Sequence, residues 1–438
     1  MTVQPDQTTD RVSELAAAVT SGGFPWASKN AMLEASETYW NPGKTRFWTD
    51  EGVPLVIDRR EGYHLHDVDG HTLIDVHLNG GTYNLGHRNP EVVAAVTKAT
   101  ERFDVGNHHF PSIARTALAE ALVRTAPPGL TKVIYGSGGG EAIDIAIKSA
   151  RHATKRRKIV SIVKAYHGHT GLAVGTGDDR FSRMFLADQP ADFPHVEFND
   201  LAAMADALRG DDVAAVIMET IPATYGFPMP APGYLAAVKR LCEDHGTLYI
   251  ADEVQTGLGR TGELWAITKH SVEPDILVTG KGLSGGLYPI TAVLASDRAA
   301  AWLTEDGFGH ISTFGGAELG CVAALTTLDL TLRASTRDNV AALSELFASG
   351  LGRIRDEFPD WLVGVRKDGL VMGLEFAHPE GAKYVMRRLY QGGVWAIFST
   401  LDPRVLQYKP GLLVTAELAA DILERTRTAV RLSRDDTR

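Results

Sequence analysis

The sequence predicts an α/β fold, a large and mostly parallel sheet covered by helices, accompanied by a smaller α+β domain. Three observations carry that prediction. Between about residues 76 and 335, short apolar runs alternate with helical patterns. Each of those runs is closed by a glycine or polar cluster, as strand ends in such sheets are. The last hundred residues or so change character, with helical patterns bracketing a single apolar run.

The elements follow in chain order. Up to about Asp75 the chain is rich in aromatic residues and turn formers, including Trp26, Tyr39, Trp40, Phe47 and Trp48. Within that stretch, the alternating run at 63–70 reads as a strand entering a turn. Apolar runs at 132–135, 159–163, 214–218, 248–251 and 276–278 read as buried strands. Near the C-terminus, the run at 370–376 reads as a strand and a final helix is expected from about Ala416 to Val430. The expected division is an N-terminal arm with part of a small domain over 1–75, a large domain over 76–335 and a small α+β domain over 336–438.

Length and composition narrow the function. A chain of 438 residues accommodates one large domain with a smaller companion. A net charge of −10 speaks against nucleic acid as a partner. The one dense basic run, Lys155-Arg-Arg-Lys158, reads as a solvated turn after a helix. Two cysteines, Cys242 and Cys321, suit a reducing compartment. The N-terminal residues lack the basic-then-apolar pattern of a signal peptide, and no apolar run reaches the length of a membrane span. A cytoplasmic protein without membrane or nucleic-acid partners is expected.

Ligands in open α/β sheets collect beyond the carboxyl ends of the strands. The five runs are followed, in order, by Gly136-Ser-Gly-Gly-Gly140, by Tyr166-His-Gly-His169, by Glu219, by Asp252 and by Lys281. A glycine loop opening a helix lets backbone N–H groups approach an anion, though for a lone cluster a tight strand-to-helix turn is the preferred reading. Glu141 breaks the dinucleotide fingerprint; Asp275 and Gly282 break an ATP-binding loop around Lys281. His167 and His169 lack a third metal ligand at usable spacing and read as structural hydrogen-bonding groups; no metal is expected. Taken singly, Asp252 is a strand cap, Glu219 half of a salt bridge and Lys281 a solvated lysine. Taken together they have a common chemistry. A lysine among apolar groups loses proton affinity, and its neutral amine attacks aldehydes. An anion loop, a stacking aromatic, a buried carboxylate and such a lysine are what pyridoxal phosphate requires.

These residues resemble the class III, fold-type I pyridoxal-phosphate aminotransferases, from about Gly62 to the C-terminus. The segments LYIADEVQTGLGRTG at 248–262 and PDILVTGKGL at 274–283 carry most of the resemblance, with DVDG at 67–70, NLGHRNP at 84–90 and STFGG at 312–316 in support. The resemblance implies an aminotransferase working by a ping-pong cycle between an amine or amino-acid donor and a keto or aldehyde acceptor. Lys281 would form the Schiff base and shuttle a proton, and Asp252 would pair with the pyridine nitrogen. Gln255 would contact the ring hydroxyl and Tyr166 would stack on the ring, with Glu219 beside them. The loop of Gly138, Gly139 and Gly140 would take the phosphate. Thr313 would reach the phosphate of a neighbouring subunit, which implies a homodimer with shared active sites. Arg260 reads as structural. The same scaffold also hosts aminomutases, racemases or epimerases, and phospho-lyases, so the fold alone leaves these alternatives open.

Three departures from the family pattern stand out. Gly140 occupies a position where Ser or Thr is common, and the segment at 220–227 lacks the usual Pro-and-Gln form. Gln407 aligns with an arginine that clamps a substrate α-carboxylate, and an amide does not replace a bidentate fork. That departure bears directly on whether glutamate and 2-oxoglutarate are used. Lys409 is expected to substitute as a point charge. Glu219, deprived of that arginine, either reads a cationic or hydroxyl group on the substrate or pairs with another base.

Overall fold

The computed structural model describes residues 5–436. The large sheet contains β1 (Leu130–Gly136), β2 (Lys158–Ile162), β3 (His195–Val196), β4 (Val213–Glu219), β5 (Leu248–Asp252), β6 (Ile276–Thr279) and β7 (Thr291–Ser296). Its seven strands lie in the order β1-β7-β6-β5-β4-β2-β3. The pairs β3–β2, β2–β4, β4–β5 and β5–β6 are parallel. All five apolar runs are strands. The sequence reading passes over the two-residue β3 and over β7, which runs antiparallel between β1 and β6. Its connection from β6 carries only the short turn Lys281–Ser284 and no crossover helix, so the chain returns in the opposite direction.

Side-chain alternation along these strands builds two cores. Val216, Met218, Tyr249, Ala251 and Leu277 join one apolar cluster. Their neighbours Ala215, Ile217, Ile250, Ile276 and Val278 join the other. Every residue of β4 is buried, as in a parallel sheet covered on both faces. The helix Gly139–Thr154 covers one face with Ile143, Ile145, Ala146, Ile147 and Ala150 and ends at Lys155 in the left-handed region, φ 57°. The following basic run is not wholly solvated. Arg156 donates to the carbonyls of Val213 at 3.2 Å and His245 at 2.7 Å.

A second, four-stranded sheet comprises β8 (Leu362–Asp368), β9 (Val371–Phe376), β10 (Ile397–Ser399) and β11 (Asp402–Tyr408), in the order β8-β9-β11-β10. All its pairings are antiparallel. The final helix extends to Asp436, past the expected Val430. Its last turns are held by ion pairs that the apolar pattern does not reveal, Arg427 to Glu357 at 2.6 Å and Arg434 to Asp360 at 2.6 Å.

The chain divides into two compact units, residues 1–59 with 65–72 and residues 60–64 with 73–438. In the smaller unit, Ser28 and Asn41 cap the helices Lys29–Tyr39 and Pro42–Asp50. Buried Asp67 accepts from Lys29 at 2.8 Å, from the Val56 N–H at 3.0 Å and from the Asp69 N–H at 2.9 Å. No helix among the described residues is long and apolar enough to cross a membrane.

In the larger unit, the Tyr63 hydroxyl accepts from the Leu413 N–H at 2.9 Å and donates to the Asn84 carbonyl at 3.1 Å. A β-carbon at Gly411 would lie 1.8 Å from the Tyr63 ring. Gly411→Ala is therefore expected to destabilise the protein by about 1–3 kcal/mol through forced displacement of that ring. Thermal unfolding measures this, and an unchanged midpoint would show that the ring is not fixed in place.

Candidate active site

The carboxyl ends of β4, β5 and β6 deliver the chemistry. Glu219 ends β4, Asp252 ends β5, and the two sit opposite one another in the parallel register. Lys281 follows β6 after Gly280. These three, with Gly139, Gly140, Tyr166 and Gln255, line one cavity of about 530 Å³. Gly138 caps the helix beside it without lining it, and Thr313 stands exposed on a loop and does not line it.

The two carboxylates are held differently. Asp252 receives His167 Nδ1 at 2.7 Å and the Val254 N–H at 3.0 Å. With a carboxylate oxygen as acceptor, Nδ1 is the donor of this bond. Glu219 receives backbone N–H groups alone, from Tyr166 at 3.0 Å and Ala223 at 3.2 Å. Among the described residues no base lies within ion-pair distance of it, though His167 acts on it electrostatically. Burial pushes the Glu219 carboxyl up to about 7, with Asp252 adding to the rise and His167 opposing it.

Lys281 opens a short 3-10 turn with φ 41°. Its flanking glycines are required by close approach. A β-carbon at Gly280 would lie 2.8 Å from Thr291 Cγ2, and one at Gly282 would lie 2.7 Å from Asn84 Nδ2. Burial draws the Lys281 amine below its ordinary range, against the pull of Asp252 and Glu219. A fourth segment, unremarked in the sequence, crosses this lysine. Leu78, Asn79, Gly80 and Gly81 all have positive φ, at 53°, 48°, 73° and 95°. The turn brings His77, Asn79 and Gly80 into the cavity wall. Asn-Gly-Gly after the strand Thr72–Asp75 was the available signal, and it reads as an ordinary turn.

The donor set fits pyridoxal phosphate. The glycine loop sits at the N-terminus of a 16-residue helix, where unpaired N–H groups and the helix dipole favour an anion. Ser137 is already committed, both its N–H and its hydroxyl meeting Glu141 at 2.7 Å. A side chain at Gly140 would meet Thr170, whose Oγ1 lies 2.6 Å from the β-carbon position. Gln255 Nε2 is buried and has no partner among the described residues, a donor awaiting an acceptor. The Tyr166 ring, at the cavity edge, packs against His169 at 5.2 Å and Phe181 at 5.8 Å.

Gln407, near the end of β11, lines the cavity, but Lys409 does not. Lys409 is fully buried, and its Nζ donates to Gln407 Oε1. The expected point charge facing the substrate is thus corrected. The strand ends at Tyr408, and the Lys409 N–H donates to the Val76 carbonyl at 2.6 Å, which carries its side chain behind Gln407.

A β-carbon at Gly80 would lie 2.9 Å from Lys281 Cε and 3.1 Å from Gln255 Oε1. Gly80→Ala is expected to displace the amine and lower kcat by about tenfold or more, as small misplacements of reacting groups do. Steady-state kinetics alongside a thermal melt would separate this from unfolding; an unchanged kcat would show that the lysine tolerates the shift.

Comparison with known proteins gives the family. A family model described as aminotransferase class-III matches residues 48–430. An uncharacterised aminotransferase of Archaeoglobus fulgidus is 41% identical over 405 residues, covering 92% of this chain and 95% of that one. A putrescine aminotransferase of Pectobacterium atrosepticum is 33% identical, covering 92% and 89%. A crystal structure of the ornithine aminotransferase of Toxoplasma gondii, with partial occupancy of PLP at its active site, superposes with a TM-score of 0.80 at 27% identity, covering 90% and 95%. With a fold-type I architecture and relatives matched almost end to end, the chain belongs to the class III aminotransferase family and is a transaminase.

Proposed function

We propose that this aminotransferase takes pyridoxal phosphate as its coenzyme in the cavity around Lys281. The observation that carries the reading is the convergence there of a buried amine, a carboxylate held by His167 and the unpartnered Gln255 donor. The PLP recorded in the Toxoplasma relative supports it. When bound, the coenzyme supplies an aldehyde for nitrogen exchange and a protonated pyridine ring that draws electrons from the donor carbon. The chain's own residues do the rest. Lys281 Nζ would hold the coenzyme and would carry a proton between the donor carbon and the coenzyme. Asp252, oriented by the His167 ring, would pair with the ring nitrogen. The Gly139 and Gly140 N–H groups, with Gly138 shaping the loop, take the phosphate. Tyr166 would cover the ring and Gln255 Nε2 would donate to the ring hydroxyl. Glu219, which lines the same cavity, would read a hydroxyl or cationic group of the donor. Nothing in the cavity favours an aminomutase, racemase or phospho-lyase over transamination.

The same reading includes a homodimer in a reducing, cytoplasmic compartment. Thr313 stands among exposed apolar side chains, Phe308 at 61%, Ile311 at 54% and Phe314 at 58% exposure, and these suit burial by a second copy whose phosphate Thr313 would contact. Both cysteines are free and buried. We assign residues 76–335 as the coenzyme domain and 336–438 as the small α+β domain, with 1–75 supplying an arm and part of the latter. The separate sheets of the two stretches support this assignment.

The decisive experiment is the visible spectrum of the purified protein with L-glutamate and no acceptor. The coenzyme band is expected to be present, and its loss with glutamate would mark a half-reaction that proceeds despite Gln407. A band that persists would restrict the donor to other amines. Lys281→Ala is expected to lose turnover and to show no covalent coenzyme by mass spectrometry after borohydride reduction. Full turnover by that variant would overturn the assignment.

A further inference from the structure

The motif Asn84-Leu-Gly-His-Arg-Asn-Pro90 has no residue in the cavity wall, and the buried carboxylate of Asp75 enters no step of the reaction. The fold joins the two. Asp75 closes the strand Thr72–Asp75 and is 4% exposed. Its Oδ1 accepts from two successive N–H groups, His77 at 3.0 Å and Leu78 at 2.7 Å. Its Oδ2 lies 2.9 Å from His87 Nε2, the donor of that bond. His87 is fixed in turn, since its backbone exchanges two hydrogen bonds with Gly62 and its ring packs against Tyr83 at 3.9 Å. A second base feels the same carboxylate. Burial holds the Lys409 amine well below its ordinary range, Arg260 and Lys281 add to this, and Asp75 opposes it.

Two N–H groups drawn to one carboxylate oxygen turn the chain sharply after the strand. The next four residues, Leu78 to Gly81, all have positive φ, and two of them are not glycine. L-residues stay in that region only where surrounding contacts hold them. The turn closes against the stem of the reactive lysine. The Gly80 N–H donates to the His77 carbonyl at 3.1 Å, and a β-carbon at Gly80 would lie 2.9 Å from Lys281 Cε. One short run of fixed backbone thus connects the Asp75 carboxylate to Lys281. We propose that Asp75 is a positioning residue for Lys281, that it acts by holding this turn against the lysine stem, and that His87 holds Asp75 in place. The inference rests on the coenzyme site proposed above. It gives the motif around His87 a part in the reaction without contact to substrate or coenzyme.

The test compares two ligands on the full-length protein freed of coenzyme. PLP attaches when its aldehyde condenses with the Lys281 amine and water leaves, whereas pyridoxine 5′-phosphate lacks the aldehyde and reports the cavity alone. Attachment of PLP is followed by borohydride trapping and mass spectrometry, and binding of the analogue by calorimetry. Asp75→Ala is expected to attach PLP about tenfold more slowly or worse, while binding the analogue within about threefold of wild type. Asp75→Asn keeps an oxygen for both N–H groups. His87 Nδ1 has no partner among the described residues, so the imidazole proton can move there and leave Nε2 to accept from the amide. That variant is expected to attach PLP within about threefold of the wild-type rate. If Asp75→Ala does not fold, His87→Leu decides, with the same slowing expected. Attachment at the wild-type rate, an equal loss for both ligands, or an Asp75→Asn variant as slow as Asp75→Ala would overturn the inference. A wild type that attaches no PLP would overturn the coenzyme site itself, and this inference with it.

Discussion

Two carboxylates buried side by side at one sheet edge set the terms for everything around them. The parallel register of β4 and β5 puts Glu219 opposite Asp252, and like charges so placed resist joint ionisation. The structure resolves the conflict asymmetrically. Asp252 receives an imidazole N–H, whereas Glu219 receives only backbone donors and its carboxyl rises to about 7. A single loop after β2 serves both, since Tyr166 gives its N–H to Glu219 and the next residue, His167, gives its ring to Asp252. The rim therefore holds one carboxylate anchored by an imidazole and one whose proton affinity burial raises, and the buried Lys281 amine feels both.

Presenting that amine in a closed site is a packing problem. Gly280, Gly282 and Gly80 each leave room that a β-carbon would fill, against Thr291, Asn84 and Lys281 respectively. The left-handed turn from Leu78 to Gly81 is the strained part of this solution, because L-residues in that region cost about 1–2 kcal/mol each. Such strain persists only where surrounding contacts fix it, and here it lies directly on the cavity wall.

The most specific sequence segment turns out to divide its labour. Asp252 and Gln255 face the cavity, but Glu253 faces the opposite way, as alternation at a strand end requires. Glu253 accepts from the Thr220 hydroxyl, from Thr256 at 3.0 Å and from the N–H groups of Ala266 at 3.0 Å and Ile267 at 2.8 Å. Arg260 spans to the carbonyls of Pro410 and Leu370 at 2.7 and 3.1 Å, in keeping with a structural part. Both charged groups are buried against neutral partners, and burial moves Glu253 up to about 7 and Arg260 down to about 10. They fasten the reactive loop to the rest of the larger unit.

Five of the seven strands of the large sheet, and the residues that close them, were readable from apolar runs alone. Apolar runs long enough for one strand, each closed by a polar or glycine stop, have one economical arrangement, and their carboxyl ends carry their stops to the same edge. What lies at that edge was legible because the residue following each strand is a local fact. The antiparallel β7 was not, since strand direction depends on the connection rather than on composition. The left-handed turn at Leu78–Gly81 escaped because the sign of φ at Leu and Asn is imposed by surroundings. His167 meeting Asp252, and Lys409 turning behind Gln407, also belong to the tertiary structure alone. Each joins groups whose orientation is settled by backbone contacts from elsewhere in the chain, and no local pattern encodes them.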